Sequence, residues 1–173
     1  MSRRTLAAAL AISAGAVLFT VPSTASANGY INCDVDQHSL TLRGEEPEVF
    51  DAINRLRADN GVGAVTHTEV LSRPSAWTSN DSAERGYVPS DHLDSLGRNI
   101  GLRFRECGVP AIAQIAEINY GGTNITPADA MEFWANSPAH RAIMLDGRLT
   151  RVGVSVVDLD NHQYWTVAFA SVA

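Results

Sequence analysis

The chain has 173 residues, a formal net charge of −6 and 13 basic residues, every one of them arginine. Without lysine there is no Schiff-base residue and no phosphate-loop lysine. Without a basic stripe, nucleic acid is not an expected partner, and an acidic surface is not drawn to anionic lipid. Arg3 and Arg4, the apolar run Leu6 to Val21 and the Ala-Ser-Ala at 25–27 read as a cleavable export signal over residues 1–27. That run is too short for a transmembrane anchor and no later run is long and apolar enough for one, so the protein is expected to be secreted and monomeric. Residues 28–45 are polar and read as an N-terminal arm, with one domain over 46–173.

In chain order, Val49, Ile53 and Leu56 recur at helical spacing, behind an acidic first turn with Pro47 and ahead of a stop at Asn60-Gly61. "GVGAVT" at 61–66 lacks the third glycine of a dinucleotide loop and reads as a turn. A second helix is expected over 69–87, with Pro74 acceptable only within its first turn. Residues 88–115 read as a long loop carrying at most short helical pieces. The run 112–120 is mostly apolar with one acid, Glu117, and Gly121-Gly122 is expected to break it.

Two short helices then begin alike. "TPAD" has Thr126 as N-cap, Pro127 at N1 and an acid at N3. "SPAH" has Ser137, Pro138 and a base, His140, at N3. The positive end of a helix disfavours imidazolium, so His140 is expected neutral, the form that binds a metal or accepts a proton. Trp134 sits on the apolar side of the first of these helices and is expected in the core with Met131. "RVGVSVV" and "YWTVAFASV", joined by turn-forming residues, predict an antiparallel hairpin over 151–172. The order of elements, with no alternation of strand and helix, argues for an α+β fold.

Cys33 and Cys107 are the two cysteines. In an exported chain they suggest one disulfide, closing a loop of about 75 residues, worth about 4 kcal/mol by chain entropy. His38, His67 and His162 lie in polar, turn-like surroundings and read as surface structure. "DLDNHQ" resembles the front of a calcium loop, but the twelfth position is Phe169, not a bidentate acid. His92 lies in a loop, with Asp91 and Asp94 near enough in sequence to orient it. An acid such as Glu117 in an apolar run needs a partner. Two histidines and a carboxylate are the least that could hold a divalent ion with open positions.

"AINRLRADNGV", "SAERGY", "HLDSLGR", "AEINYG", "FWANSPAHRAIMLDGRLTRVGVSV" and "YWTVAFAS" together resemble the bacterial, SCP-like branch of the CAP superfamily of cysteine-rich secretory, antigen 5 and pathogenesis-related proteins. The resemblance runs from about Val49 to Val172. It implies an α–β–α sandwich with a small antiparallel sheet between helical layers. It also implies a shallow cleft where His92, Glu117 and His140 converge, the equivalent histidines in relatives holding zinc or another divalent ion. The chain departs from the family pattern twice. Ala116-Glu117-Ile118 stands in place of Gly-Glu-Asn, and Ser137 stands where many relatives have a second Glu. Two function classes follow: a non-enzymatic binding module for a lipid, peptide or cell-wall ligand, or a metal-assisted hydrolase with a His-bound ion and Glu117 as base. The first is preferred, because a family marks a scaffold more reliably than a reaction.

Overall fold

The computed structural model describes residues 30–110 and 114–171; the expected export signal at 1–27 lies outside them. A short 3-10 turn at Gln37–Leu40 precedes α1 (Glu46–Asp59), β1 (Thr66–His67), α2 (Glu69–Arg85), α3 (Ile100–Glu106), β2 (Ile115–Thr123), α4 (Pro127–Asn136), α5 (Pro138–Met144), β3 (Arg151–Leu159) and β4 (His162–Ala170). The four strands form one sheet in the order β1-β3-β4-β2, antiparallel except for the two-residue parallel pairing of β1 with β3. Helices cover both faces, which makes an α+β sandwich.

Strand alternation divides the hydrophobic residues between the two faces. Ile118, Val152, Val154, Trp165, Val167 and Phe169 face one way and pack with Val49 and Ile53 of α1, Trp134 of α4 and Met144 of α5. Trp134 is fully buried there, and its indole N–H donates to the Asn119 carbonyl at 3.1 Å. The other face carries smaller residues. Ala168 and Ala170 meet Leu71 of α2 and Phe104 of α3, and α2 turns a row of buried hydroxyls, Ser72, Ser75, Thr78, Ser79 and Ser82, inward. Ser75 Oγ donates to the Gly153 carbonyl and accepts from the Ala168 N–H. A Cβ on Gly153 would fall 2.1 Å from the Leu71 carbonyl carbon, so glycine at 153 is what lets the helix backbone lie on the sheet.

Two local expectations are corrected. Pro74 does not sit in the first turn of α2; the helix begins at Glu69 and runs through it. The proline removes one amide donor, and the bond lost is to the carbonyl of Val70, whose side chain is 45% exposed on the outer side. Gly121-Gly122 does not end the apolar run. Both glycines continue β2, paired with Tyr164 and Gln163 of β4, and a Cβ at Gly121 would meet the Val88 side chain at 2.8 Å. The β3–β4 turn is Asp160-Asn161, both with positive φ, the two-residue turn that follows the natural strand twist.

Cys33 and Cys107 form a buried disulfide with Cα atoms 5.2 Å apart. It ties the arm to the end of α3, beside the bond from the Ile31 N–H to the Glu106 carbonyl. Tyr30 extends the clamp, with the Arg73 guanidinium 3.9 Å above its ring.

Candidate functional site

Glu117 lies on β2, an edge strand, and points to the α2–α3 side of the sheet. It is 2% exposed, and its carboxylate is surrounded by donors. Arg103 Nη2 reaches both oxygens at 2.8 Å. His92 Nδ1 lies 2.9 Å from Oε1. Asn119 Nδ2 donates to Oε1 at 3.1 Å and Thr78 Oγ1 to Oε2 at 3.3 Å. Burial pushes the Glu117 pKa up, but the hydrogen bond from His92 and the charge and hydrogen bonds of Arg103 outweigh it and hold the group below the ordinary carboxylate value. Glu117 is therefore ionised inside a closed ion pair.

Arg103 holds more than the carboxylate. Its Nη1 donates to the carbonyls of His92 and Arg98 at 3.2 Å each. His92 has φ of 58°, a left-handed conformation that a residue with a Cβ adopts at some cost. One buried guanidinium thus fixes the His92 backbone while its carboxylate partner fixes the ring. Asp91 and Asp94 take no part in this. Asp91 accepts from the Leu93 N–H, and Asp94 is spent on the Arg98 guanidinium, Trp77 and nearby amides.

His140 comes from the opposite layer. It is the third residue of α5, whose start is set by Ser137 and Pro138, although the Ser137 side chain makes no capping bond. Burial, and then nearby His92, hold its imidazole below the ordinary histidine value, so it is neutral. Its Nδ1 is buried without a hydrogen-bond partner. His92 and His140 line one cleft of about 400 Å³, together with Asn119, Tyr120 and Phe133. Glu117 lies behind His92 and is not part of that lining.

The structure thus brings His92 and Glu117 into contact and sets His92 and His140 around the same space, while Glu117 and His140 do not touch. Residues that the sequence reading passed over complete the arrangement. Arg103 lay in a stretch read as loop. Asn119 follows Glu117 by two residues, so on a strand the two share a face; reading 112–120 as a strand would have exposed the pair. Of the remaining histidines, His67 bonds Ser72 Oγ at 2.7 Å and His162 bonds Thr123, both structural roles.

Among the described residues, no group of three or more His, Cys, Asp or Glu side chains is arranged to hold a metal ion. What the cleft offers is two imidazoles. His92, bound through Nδ1 to a carboxylate, keeps Nε2 free, which is the usual orientation of a metal-binding histidine. His140 is the second imidazole lining the cleft. This donor set fits a divalent ion weakly, with water completing the coordination.

Sequence and fold comparisons agree with each other. The model of the family described as "CAP: Cysteine-rich secretory protein family" matches residues 50–169. The chain is similar to the uncharacterized protein YkwD of Bacillus subtilis (strain 168), with 24% identity over 131 residues, covering 72% of this chain and 46% of that protein. It spans less than half of that relative's length. In fold it resembles an outer surface protein of Borrelia burgdorferi, with a TM-score of 0.65, 15% identity, and 80% and 97% of the two chains covered. It also resembles an extracellular SCP-domain protein of Bacillus anthracis str. Ames, with a TM-score of 0.62, 22% identity, and 75% and 41% covered. With the family match spanning most of the chain and the sandwich shared by these structures, the protein belongs to the CAP, or cysteine-rich secretory protein, family.

Proposed function

We propose that the protein is an exported, non-enzymatic binding module whose cleft between His92 and His140 takes a peptide, lipid or cell-wall ligand. The observation that carries this reading is the state of Glu117. Its two oxygens are already engaged by Arg103, His92, Asn119 and Thr78, and it lies behind the cleft. A general base must reach the proton it removes and hold a free lone pair for it. Here the acid acts instead as an anchor that orients His92. The cleft then presents neutral imidazole, amide and aromatic surface, which suits recognition.

Export is supported by the leader at 1–27 and by a disulfide, which persists in oxidising compartments. Among the described residues no helix is long and apolar enough to cross a membrane. A divalent ion such as zinc would be held by His92 and His140 and would supply a polarising charge for a ligand oxygen.

Calorimetric titration of residues 28–173 with zinc, beside the His92→Ala and His140→Ala variants, tests the two-imidazole site; weak binding lost in either variant is expected. Incubation with peptide and ester substrates, with and without chelator, tests the module reading. Turnover that disappears in a folded Glu117→Gln variant would overturn it.

A further inference from the structure

The groove does not end at the imidazoles. Tyr120 and Phe133 form a wall shared by the His92–His140 cleft and a second hollow of about 460 Å³, lined by Asp129, Glu132, Asn136 and Ser137. Asp129, Glu132, Phe133 and Asn136 recur along α4 at the spacing of one helical face. Phe133 is 43% exposed and stacks on Tyr120, with centroids 4.1 Å apart and planes 17° from parallel. Its other neighbour is the His140 ring at 5.6 Å. The helix therefore presents a partly exposed aromatic ring beside two carboxylates.

The chemistry of the lining has one sign. Among the described residues, no arginine lines either hollow. Asp129 uses Oδ2 to cap α4 through Thr126, which leaves Oδ1. Asn119, 7% exposed and part of the cleft lining, keeps its Oδ1 acceptor buried and unpartnered. Acceptors, carboxylates and an exposed aromatic face in one groove are complementary to a donor-rich cation.

A second acidic hollow gives the contrast. Asp34, Asp36, Asp81 and Glu84 surround Trp77, but the Arg98 guanidinium already lies over that ring at 4.9 Å. Asp81 is also committed to Arg85 and the Ser95 N–H. There a guanidinium of the chain itself already occupies the ring and another pairs with Asp81; at Phe133 no arginine does so.

We propose that the α4 groove receives the cationic side chain of a peptide ligand, a lysine or arginine lying over Phe133 between Asp129 and Glu132, with the neighbouring peptide backbone in the imidazole cleft. The proposal rests on the binding-module reading and names its ligand class. The ammonium or guanidinium takes the aromatic face and the carboxylates, and a backbone N–H meets the Asn119 acceptor.

The test is an NMR titration of ¹⁵N-labelled residues 28–173 with the single-charge peptide acetyl-Gly-Lys-Gly-amide, in parallel with the same peptide acetylated on its lysine. The lysine peptide is expected to shift the amides of Gly121, Phe133 and Asn136. Acetylation should weaken binding about tenfold, and Glu132→Gln and Phe133→Leu about threefold each, with unchanged melting temperatures. Equal affinity for the acetylated peptide at this groove would overturn the cation assignment while leaving the binding module standing. Equal shifts around Asp34 and Asp81 would reduce the effect to general acidity and would also overturn it. Cleavage of the peptide, lost in Glu117→Gln, would instead remove the module reading, whatever the lysine dependence.

Discussion

The two faces of the sheet are built on opposite principles. Toward α1, α4 and α5 the strands present large apolar side chains, and Trp134, Trp165 and Phe169 fill the gap. Toward α2 and α3 they present Gly153, Ser155 and Ala168, and the helix lies close with its hydroxyls bonded to strand backbone. The first face is held by burial of apolar area, the second by proximity and polar satisfaction. The functional polar groups follow this division. His92 and Glu117 belong to the close, polar side, where a buried arginine bonds the carboxylate and two backbone carbonyls; His140 belongs to the apolar side, in the first turn of its helix.

That contrast can be broken or sharpened by substitution. On the apolar face, Trp134→Ala should cost about 3–5 kcal/mol in chemical denaturation, since it leaves a large cavity and an unpaired Asn119 carbonyl. Intact stability, with ligand binding lost, would move Trp134 from the core to the site. On the polar face, Arg103→Ala should cost a comparable 3–5 kcal/mol at neutral pH, by leaving Glu117 buried without its cation. The two differ in pH dependence. Protonating Glu117 below its ordinary value of 4.5 relieves the uncompensated charge in Arg103→Ala, whereas Trp134→Ala gains nothing from acid. An Arg103 variant equally damaged at both pH values would show that its packing, not its charge, matters.

Gly153→Ala comes next, at about 1–3 kcal/mol. The added methyl meets Leu71 backbone, which cannot move without lifting α2. A neutral result would mean that the helix is free to slide, and the close packing would not be a constraint. The smallest effect is expected at His67, beneath the start of α2. Burial holds its pKa below 6.5, opposed by Glu69. A histidine depressed in the folded state destabilises the protein as pH falls through and below its unfolded value. Melting temperatures from pH 7 to pH 5 should therefore fall less in His67→Gln than in the parent protein. The difference should correspond to under about 1 kcal/mol.

Local order was legible in the sequence wherever a few neighbouring residues decide it. The α4 capping box of Thr126 and Asp129, the start of α5 at Ser137-Pro138, the stop at Asn60-Gly61 and the β3–β4 hairpin all follow from backbone hydrogen-bond needs within one turn. The helix end argued for a neutral His140 from three residues alone, but the causes in the folded protein are burial and the nearby His92, which sequence spacing does not show. Its placement opposite His92 was not readable this way; only the family resemblance suggested it.

What only the tertiary structure decided is whatever depends on which residues meet across the sheet. Pro74 is tolerated within α2 because its lost bond falls on the outer side, and Gly121-Gly122 stays in a strand because β4 supplies partners. Glu117 needed a partner on any reading of the chain. That the partner is Arg103, fourteen residues away on another element, and that the pair closes behind His92, follows from the register of β2 and the position of α3. Sequence spacing carries periodicity along one element; it carries no distance between elements, and the charge state of a buried group is set by that distance.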